Sequence, residues 1–196
     1  VLLALASMVV QSLSDCVYKR SQLKGAIPET FLVYQSYSFG ATAFALVIFQ
    51  DALRTDWIAW KYGPVCGLVG FAAYYCFLYS LKFGQVSVNT VIFRLSFVLT
   101  ALFAIIFLEE PISIRKGVGL LVAILAVASL ADLSRRKKLR SDGLKEGTQA
   151  QRGKSLVFAV AAFTCLGTLS FFYKLAANDG VPAPLLIFIQ FAFFSP

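Results

Sequence analysis

The sequence predicts an all-α integral membrane protein, a multi-span helical bundle. Hydrophobic residues make up 59% of the 196 residues and charged residues only 14%, whereas a soluble domain carries about 25% charged residues. The hydrophobic residues are also grouped into blocks that approach the roughly 20 residues a helix needs to cross a bilayer. In addition, the character of the first two blocks recurs later in the chain. These three observations indicate a bundle that is built from repeats and surrounded by lipid.

Seven apolar segments follow one another, of which six are full or nearly full spans and the last is cut short. They occupy roughly residues 1–18, 30–49, 62–81, 86–108, 117–133, 155–177 and 183–196. The connections between them are short, with the exception of a polar linker at 134–154. Each segment is long enough, or nearly so, to be predicted as a membrane helix.

The first segment carries a continuous polar stripe on one helical face. Its members are Ser7, Gln11, Ser14, Asp15 and Tyr18. In lipid such a stripe faces other helices or a water-filled cavity, so these residues are candidates for helix–helix hydrogen bonds or for contact with a solute. Asp15 has two interpretations of its own. It either pairs with Lys19, four residues on, or serves as a proton or cation site.

Weaker signals mark the second and third segments. Gln35 begins a short polar stripe on the second segment that continues through Ser38 and Thr42. On the third segment Gly63 and Gly67 form a GxxxG, a spacing that lets helices approach closely. We therefore assign the glycines to packing and keep Gln35 as a candidate for solute contact.

The fourth segment contains one charge in an otherwise apolar run, Arg94. An arginine at the centre of a membrane helix costs about 2.5–3.5 kcal/mol on insertion scales, so an opposing interaction is expected. Arg94 lies roughly 12 Å into its segment, at 1.5 Å per residue. Its side chain either snorkels to the interface or points inward, where Asp15, backbone carbonyls or an anionic solute group balance the charge. Because a guanidinium binds carboxylates well, a carboxylate-bearing solute is one expectation.

Two further groups of side chains are candidates. Asn89 shares a face of the fourth segment with Ser96 and Thr100. Tyr75, together with its neighbours Tyr74 and Tyr79, either packs against other aromatic rings or stacks on a solute. Aromatic packing is the stronger of these two interpretations.

Positive charge is concentrated in the linker, which indicates its side of the membrane. Residues 134–154 read SRRKKLRSDGLKEGTQAQRGK and supply much of the net charge of +8. Lys and Arg are retained preferentially in the cytoplasm, so we expect a multi-pass protein of the cell membrane with a cytoplasmic linker and an outside N-terminus. A nucleic-acid or phospholipid role for this patch is a weaker alternative, and no nucleic-acid partner is predicted.

A shift of 155 positions places the first segment on the sixth. The aligned pairs are Tyr18-Lys19 with Tyr173-Lys174, Gly25 with Gly180, and Gln35 with Gln190. Because five spans, an odd number, separate the copies, the second copy enters the membrane with opposite polarity. Inverted repeats of this kind are typical of secondary transporters. A complete second copy needs about three more helices after residue 196, and we expect the chain as given to be unstable or to form a homodimer.

Residues 93–130, FRLSFVLTALFAIIFLEEPISIRKGVGLLVAILAVASL, resemble the end of an EamA repeat of the drug/metabolite transporter superfamily. The matching features are an acidic turn, LEEPIS, after the fourth helix and a fifth helix that opens with Gly117 and Gly119. Tyr18-Lys19 is similar to that family as well. The resemblance implies two inverted five-helix repeats and export or exchange of small metabolites such as amino acids. It assigns residues 1–133 to the first repeat, 134–154 to the linker and 155–196 to the start of the second repeat.

The function expected from these features is secondary transport of a small metabolite by alternating access. The predicted substrate-binding residues are Arg94, Asp15, Gln11, Ser14, Gln35, Asn89 and Tyr75. The alternative is a non-transporting membrane assembly or sensor protein. A membrane-embedded enzyme is less expected, because the sequence contains no histidine and no HExxH or GxSxG motif. No cofactor and no metal site are predicted.

Overall fold

The computed structural model describes residues 2–25, 27–49, 57–84, 86–109, 114, 117–122, 124–125, 129 and 149–194. Within these ranges nearly every residue is helical and none lies in a strand, which confirms the all-α class. The helices are α1 (Leu2–Leu23), α2 (Pro28–Phe49), α3 (Trp57–Phe83), α4 (Val86–Arg94), α5 (Ser96–Leu108), α6 (Gln149–Asn178) and α7 (Ala183–Phe194). The fifth predicted segment is helical where it is described, and residues 134–148 of the linker lie outside the described ranges.

Several helices extend past the apolar segments that predicted them. α1 continues to Leu23, α3 begins at Trp57, and α6 begins at Gln149, within the predicted linker. Hydropathy marks the thickness of the bilayer and not the length of a helix. Residues such as Gln, Ala, Arg and Lys have good helix propensity, so they continue helical turns beyond the apolar edge.

The fourth predicted span is interrupted at Leu95, directly after Arg94. The backbone N–H of Leu95 is shared between the carbonyls of Val91 and Ile92, at 3.1 Å each. The N–H of Val98 then donates to the carbonyl of Leu95 at 2.8 Å. The bonds from Leu95 to Ile92 and from Val98 to Leu95 each span three residues, which is the pattern of a 3₁₀ turn, so the span tightens for one turn between α4 and α5.

In the part of the chain that the structure describes, four helices are long and apolar enough to cross a membrane. They are Glu29–Phe49, Trp57–Phe83, Val88–Leu108 and Gly153–Asn178, with Ala183–Phe194 as a shorter apolar helix. α1 is not among the four, because its polar stripe and its basic end lower its mean hydropathy. Large apolar side chains such as Val10 and Phe107 are 62% and 68% exposed, as expected where helices face lipid. The chain is a multi-pass membrane protein.

α3 is the central helix and makes its most extensive contacts with α6 and α7. Its glycines permit this approach. A Cβ atom at Gly63 would lie 2.3 Å from Cγ2 of Ile189, and one at Gly67 would lie 2.8 Å from the carbonyl oxygen of Gln190. The packing role that the GxxxG predicted for Gly63 and Gly67 is therefore confirmed. Cys66, between the two glycines, is fully buried in the same core.

The turn between α1 and α2 has the same conformation as the turn between α6 and α7. Gly25 has φ of +78° and Gly180 has φ of +80°, a left-handed conformation that glycine adopts without steric cost. The helices that follow begin at Pro28 and Ala183. Both the glycines and these helix starts are offset by the 155 positions of the sequence repeat.

Candidate functional site

The charge of Arg94 is balanced by Asp15, across the contact between α4 and α1. Nη2 of Arg94 donates to both carboxylate oxygens, at 3.0 Å to Oδ1 and 2.8 Å to Oδ2. The Asp15 side chain is 11% exposed and the Arg94 side chain 33%. The pair carries no net charge, which lowers the cost of holding either group among membrane helices. Of the interpretations that the sequence left open for Arg94, this is the contact that the structure shows.

Lys19 reaches another part of the bundle, so the Asp15–Lys19 pair is not the contact formed. Nζ of Lys19 lies 3.3 Å from the carbonyl oxygen of Leu81 and 3.5 Å from that of Gly84. These carbonyls are at the C-terminal end of α3, where the helix dipole favours a positive charge. Lys19 therefore ties the end of α1 to the end of α3.

Asn89 belongs to a buried polar cluster with Ser80 and Ser155 that joins α4, α3 and α6. Nδ2 of Asn89 donates to the carbonyl of Ser80 at 2.5 Å and to the hydroxyl of Ser155 at 2.9 Å. The hydroxyl of Ser155 donates to the same carbonyl at 3.0 Å. Because Asn89 is only 3% exposed and its donors are in use, the structure gives it a role in helix packing.

Two other predicted site residues form hydrogen bonds, one between helices and one within a helix. The hydroxyl of Tyr75 donates to Oε1 of Glu29 at 3.2 Å, beside Tyr79, whose hydroxyl donates to the same oxygen at 2.8 Å. The hydroxyl of Ser14 donates to the carbonyl of Val10 within α1, at 3.0 Å, in an exposed position. The side chain of Gln11 lies outside the described residues.

A tyrosine–glutamine hydrogen bond occurs at both copies of the repeat, with the donor and the acceptor exchanged. Nε2 of Gln35 on α2 donates to the hydroxyl of Tyr18 on α1 at 2.6 Å. At positions 155 residues further on, the hydroxyl of Tyr173 on α6 donates to Oε1 of Gln190 on α7. We call these two contacts the Tyr–Gln pairs. Each fixes the relative position of the two helices that flank a left-handed glycine turn.

A cavity of about 200 Å³ lies among α2, α3, α6 and α7. The described residues of its wall are aromatic and aliphatic except for a few hydroxyl and amide groups, and all of them are uncharged. The polar lining residues are Gln35, Ser36, Tyr74, Ser170, Tyr173 and Gln190. Both glutamines of the Tyr–Gln pairs therefore face one space. The volume is below the roughly 300–1,000 Å³ of drug-sized sites, so the cavity suits a small solute.

Tyr74 links the cavity wall to the helix that carries Arg94. It is part of the cavity wall and its ring is 6.0 Å from that of Phe93, the neighbour of Arg94. Of the seven predicted site residues, Gln35 lines the cavity, while Arg94 and Asp15 contact each other and are not among the described lining residues.

Most of the cavity wall was missed by the sequence-based prediction. Gln190 and Tyr173 had a signal, because the 155-residue repeat maps Gln35 and Tyr18 onto them. The aromatic residues of the wall, among them Phe39, Phe191 and Phe194, had none. An aromatic residue in an apolar membrane helix looks the same in sequence whether it faces lipid, a neighbouring helix or a cavity.

Comparison with known protein families supports the resemblance noted in the sequence. The sequence profile of the EamA-like transporter family matches residues 1–131, which is about two thirds of the chain. No match was found among curated proteins or among solved structures.

Proposed function

The chain belongs to the EamA-like transporter family, and on this premise we propose that it moves a small metabolite across the membrane by alternating access. In such a mechanism two repeats of opposite polarity exchange roles, so that one site opens to each side of the membrane in turn. The site in this proposal is the cavity among α2, α3, α6 and α7.

The position of the cavity between equivalent helices is the observation that carries the proposal. α2 and α7 occupy corresponding places in the repeat, and they pack against each other. A Cβ atom at Gly40 of α2 would lie 2.6 Å from the ring of Phe191 on α7, so this contact is close. A cavity at such a junction changes shape when one repeat moves against the other, as alternating access requires.

A carboxylate-bearing solute, such as an amino acid, fits the proposal only if it displaces Asp15 from Arg94. Both oxygens of Asp15 already contact Nη2 of Arg94. We also propose that the protein lies in the cell membrane with the basic linker at 134–154 in the cytoplasm, because Lys and Arg are retained there preferentially. No catalytic step is proposed.

The experiment is a transport assay with the full-length protein in proteoliposomes. A mixture of amino acids and other metabolites is supplied under pH gradients of both signs, and the vesicle contents are identified by mass spectrometry. Wild type is compared with Arg94→Gln and with the double variant Arg94→Gln/Asp15→Asn. We expect flux of a defined solute in wild type and more flux in the double variant than in the single one, because the double variant leaves no unpaired carboxylate.

Other outcomes point to other functions. Equal loss of flux in both variants, with folding intact, would place Arg94 in contact with the solute. Flux of no solute under either gradient would favour a non-transporting assembly or sensor protein.

A further inference from the structure

The described part of the wall of the cavity among α2, α3, α6 and α7 has no formal charge, and this restricts what the cavity can hold. An ion that entered the cavity from water would lose its hydration shell without gaining a counter-charge from these side chains. That costs several kcal/mol per ion even after the protein relaxes. An uncharged solute avoids this cost, so the wall itself selects against ions.

Four charged side chains of α1, α2 and α4 are already engaged in contacts. Arg94 and Asp15 neutralise each other, and Lys19 is held by carbonyls at the end of α3. Glu29, at the start of α2, accepts hydrogen bonds from two tyrosines of α3. A solute ion would have to break a contact to obtain a counter-charge from any of these four side chains.

One buried polar atom of a lining residue lacks a partner, which favours a solute that brings a hydrogen-bond donor. Oε1 of Gln35 is buried and has no hydrogen-bond partner among the described residues. The amide nitrogen of Gln35 donates a hydrogen bond to the hydroxyl of Tyr18. In the second copy of the repeat the corresponding oxygen, Oε1 of Gln190, already accepts the hydroxyl of Tyr173. An unsatisfied buried acceptor costs about 1–3 kcal/mol, and a donor on the solute would remove that cost.

We infer, on the basis of the proposed transport function, that the cavity binds an uncharged solute with a flat aromatic or heteroaromatic ring and an N–H or O–H donor. The donor hydrogen-bonds to Oε1 of Gln35. The ring packs among the aromatic side chains of the wall, which include Phe39, Tyr74, Phe191 and Phe194, in the offset or edge-to-face arrangements that aromatic pairs prefer.

Three probes that share one ring and differ in charge test this inference. Nicotinamide is uncharged and has amide donors, nicotinate is an anion, and 1-methylnicotinamide is a cation. Binding of each to the full-length protein in detergent is measured by calorimetry, and uptake is measured in proteoliposomes. We expect nicotinamide to bind at least about tenfold more tightly than either ion, a difference of about 1.4 kcal/mol.

Variants of Gln35 locate the contact. Gln35→Leu removes the acceptor, and we expect it to weaken nicotinamide binding by about fivefold or more. Gln35→Glu places a carboxylate in the wall, and we expect it to shift the preference toward 1-methylnicotinamide. Thr42→Val is the matched control, because its hydroxyl donates to the carbonyl of Ser38 on the same helix, at 2.9 Å, in an exposed position. It should bind as wild type does.

Several results would overturn the inference and leave transport intact. One is that wild type binds nicotinate or 1-methylnicotinamide more tightly than nicotinamide. Another is that Gln35→Leu is folded and binds nicotinamide as tightly as wild type does. A third is that the protein transports ionised metabolites but binds none of the three probes. Binding of no probe together with flux of no solute would defeat the proposed function itself.

Discussion

Asp15 and Arg94 stabilise the bundle only as a pair. Each would be a costly charge among membrane helices by itself, and each is held by the other at 2.8 to 3.0 Å. Breaking a buried pair by removing one partner leaves an uncompensated charge, and that is more damaging than removing both. The stability contributed by the two residues is therefore strongly non-additive.

A double-mutant cycle measures this coupling. We expect Arg94→Gln alone to destabilise the folded protein by roughly 3–5 kcal/mol, and Asp15→Asn alone to be damaging too, because each leaves one unpaired charge. The double variant should recover most of the loss. The measurement is unfolding in detergent followed by circular dichroism. Additive losses in the double variant would show that the two side chains do not depend on each other.

The sequence revealed which residues were unusual but not which contacts they make. Arg94 was conspicuous as one charge in an apolar segment, and Asp15 was one of several candidates to balance it. Local spacing favoured Lys19 as a partner for Asp15, whereas the structure uses Lys19 at the end of α3. Pairing across 79 positions depends on how the helices pack, and a single sequence does not record that.

Glycines act in two ways in the helices of this protein, at the two turns and in the GxxxG of α3. Gly25 and Gly180 stand after α1 and α6 with φ near +80°, and a Cβ atom at either would meet nothing within 4 Å. A substitution there acts through the backbone and not through a clash. At Gly63 the reverse holds, because its φ is not in the left-handed region and Ile189 lies against it.

Substitution of the turn glycines tests whether the two copies are physically equivalent. We expect Gly25→Ala and Gly180→Ala each to cost about 1–2 kcal/mol, the penalty for a side chain in the left-handed conformation. Gly25→Asn and Gly180→Asn should cost less, because Asn tolerates that conformation. Thermal unfolding of the four variants measures this. Losses that differ widely between the two sites would argue against a shared turn.

The stability of the α3–α7 contact depends on the small volume of Gly63. We expect Gly63→Ala to lower the unfolding temperature, because the new Cβ would lie 2.3 Å from Ile189 and overpacking typically costs about 1–3 kcal/mol. Gly153→Ala in α6 is the matched control, with nothing within 4 Å of its Cβ position, and it should be neutral or stabilising by up to about 1 kcal/mol. Equal effects of both substitutions would remove the packing explanation.

Periodicity and length were enough to predict the helices, but not where they begin and end. The apolar blocks located each described helix, while α1, α3 and α6 continue into polar sequence. The interruption at Leu95 had no signal, because neither proline nor glycine occurs there. It follows from backbone hydrogen bonds to Val91 and Ile92, which no local pattern of residue types specifies.

At the scale of the molecule, two corresponding helix pairs meet beside the cavity. α1 with α2 and α6 with α7 share a turn conformation and a Tyr–Gln pair, and α2 meets α7 where the cavity lies. The repeat in the sequence was sufficient to predict this correspondence. The position and the lining of the cavity were not predictable, because they depend on the contacts of α3 with both α6 and α7.

A cross-link between α2 and α7 tests whether these helices move during transport. The rings of Phe44 and Phe188 are 5.6 Å apart. In a background without the native cysteines, we expect Phe44→Cys/Phe188→Cys to lose flux on oxidation and to regain it on reduction, because alternating access requires the repeats to move against each other. The single-cysteine variants are the controls. Full flux in the cross-linked protein would mean that this contact is static during transport.

The two members of the ion pair are synthesised at different times. Asp15 and Arg94 are 79 positions apart, so at about 5–20 residues per second the first is made roughly 4 to 16 seconds before the second. During that interval the carboxylate belongs to a nascent segment whose guanidinium does not yet exist. Until α4 has been synthesised, water, lipid headgroups or the insertion machinery must solvate the Asp15 carboxylate. The fourth helix thus completes the insertion of the first, and assembly of this half of the bundle is tied to the order of synthesis.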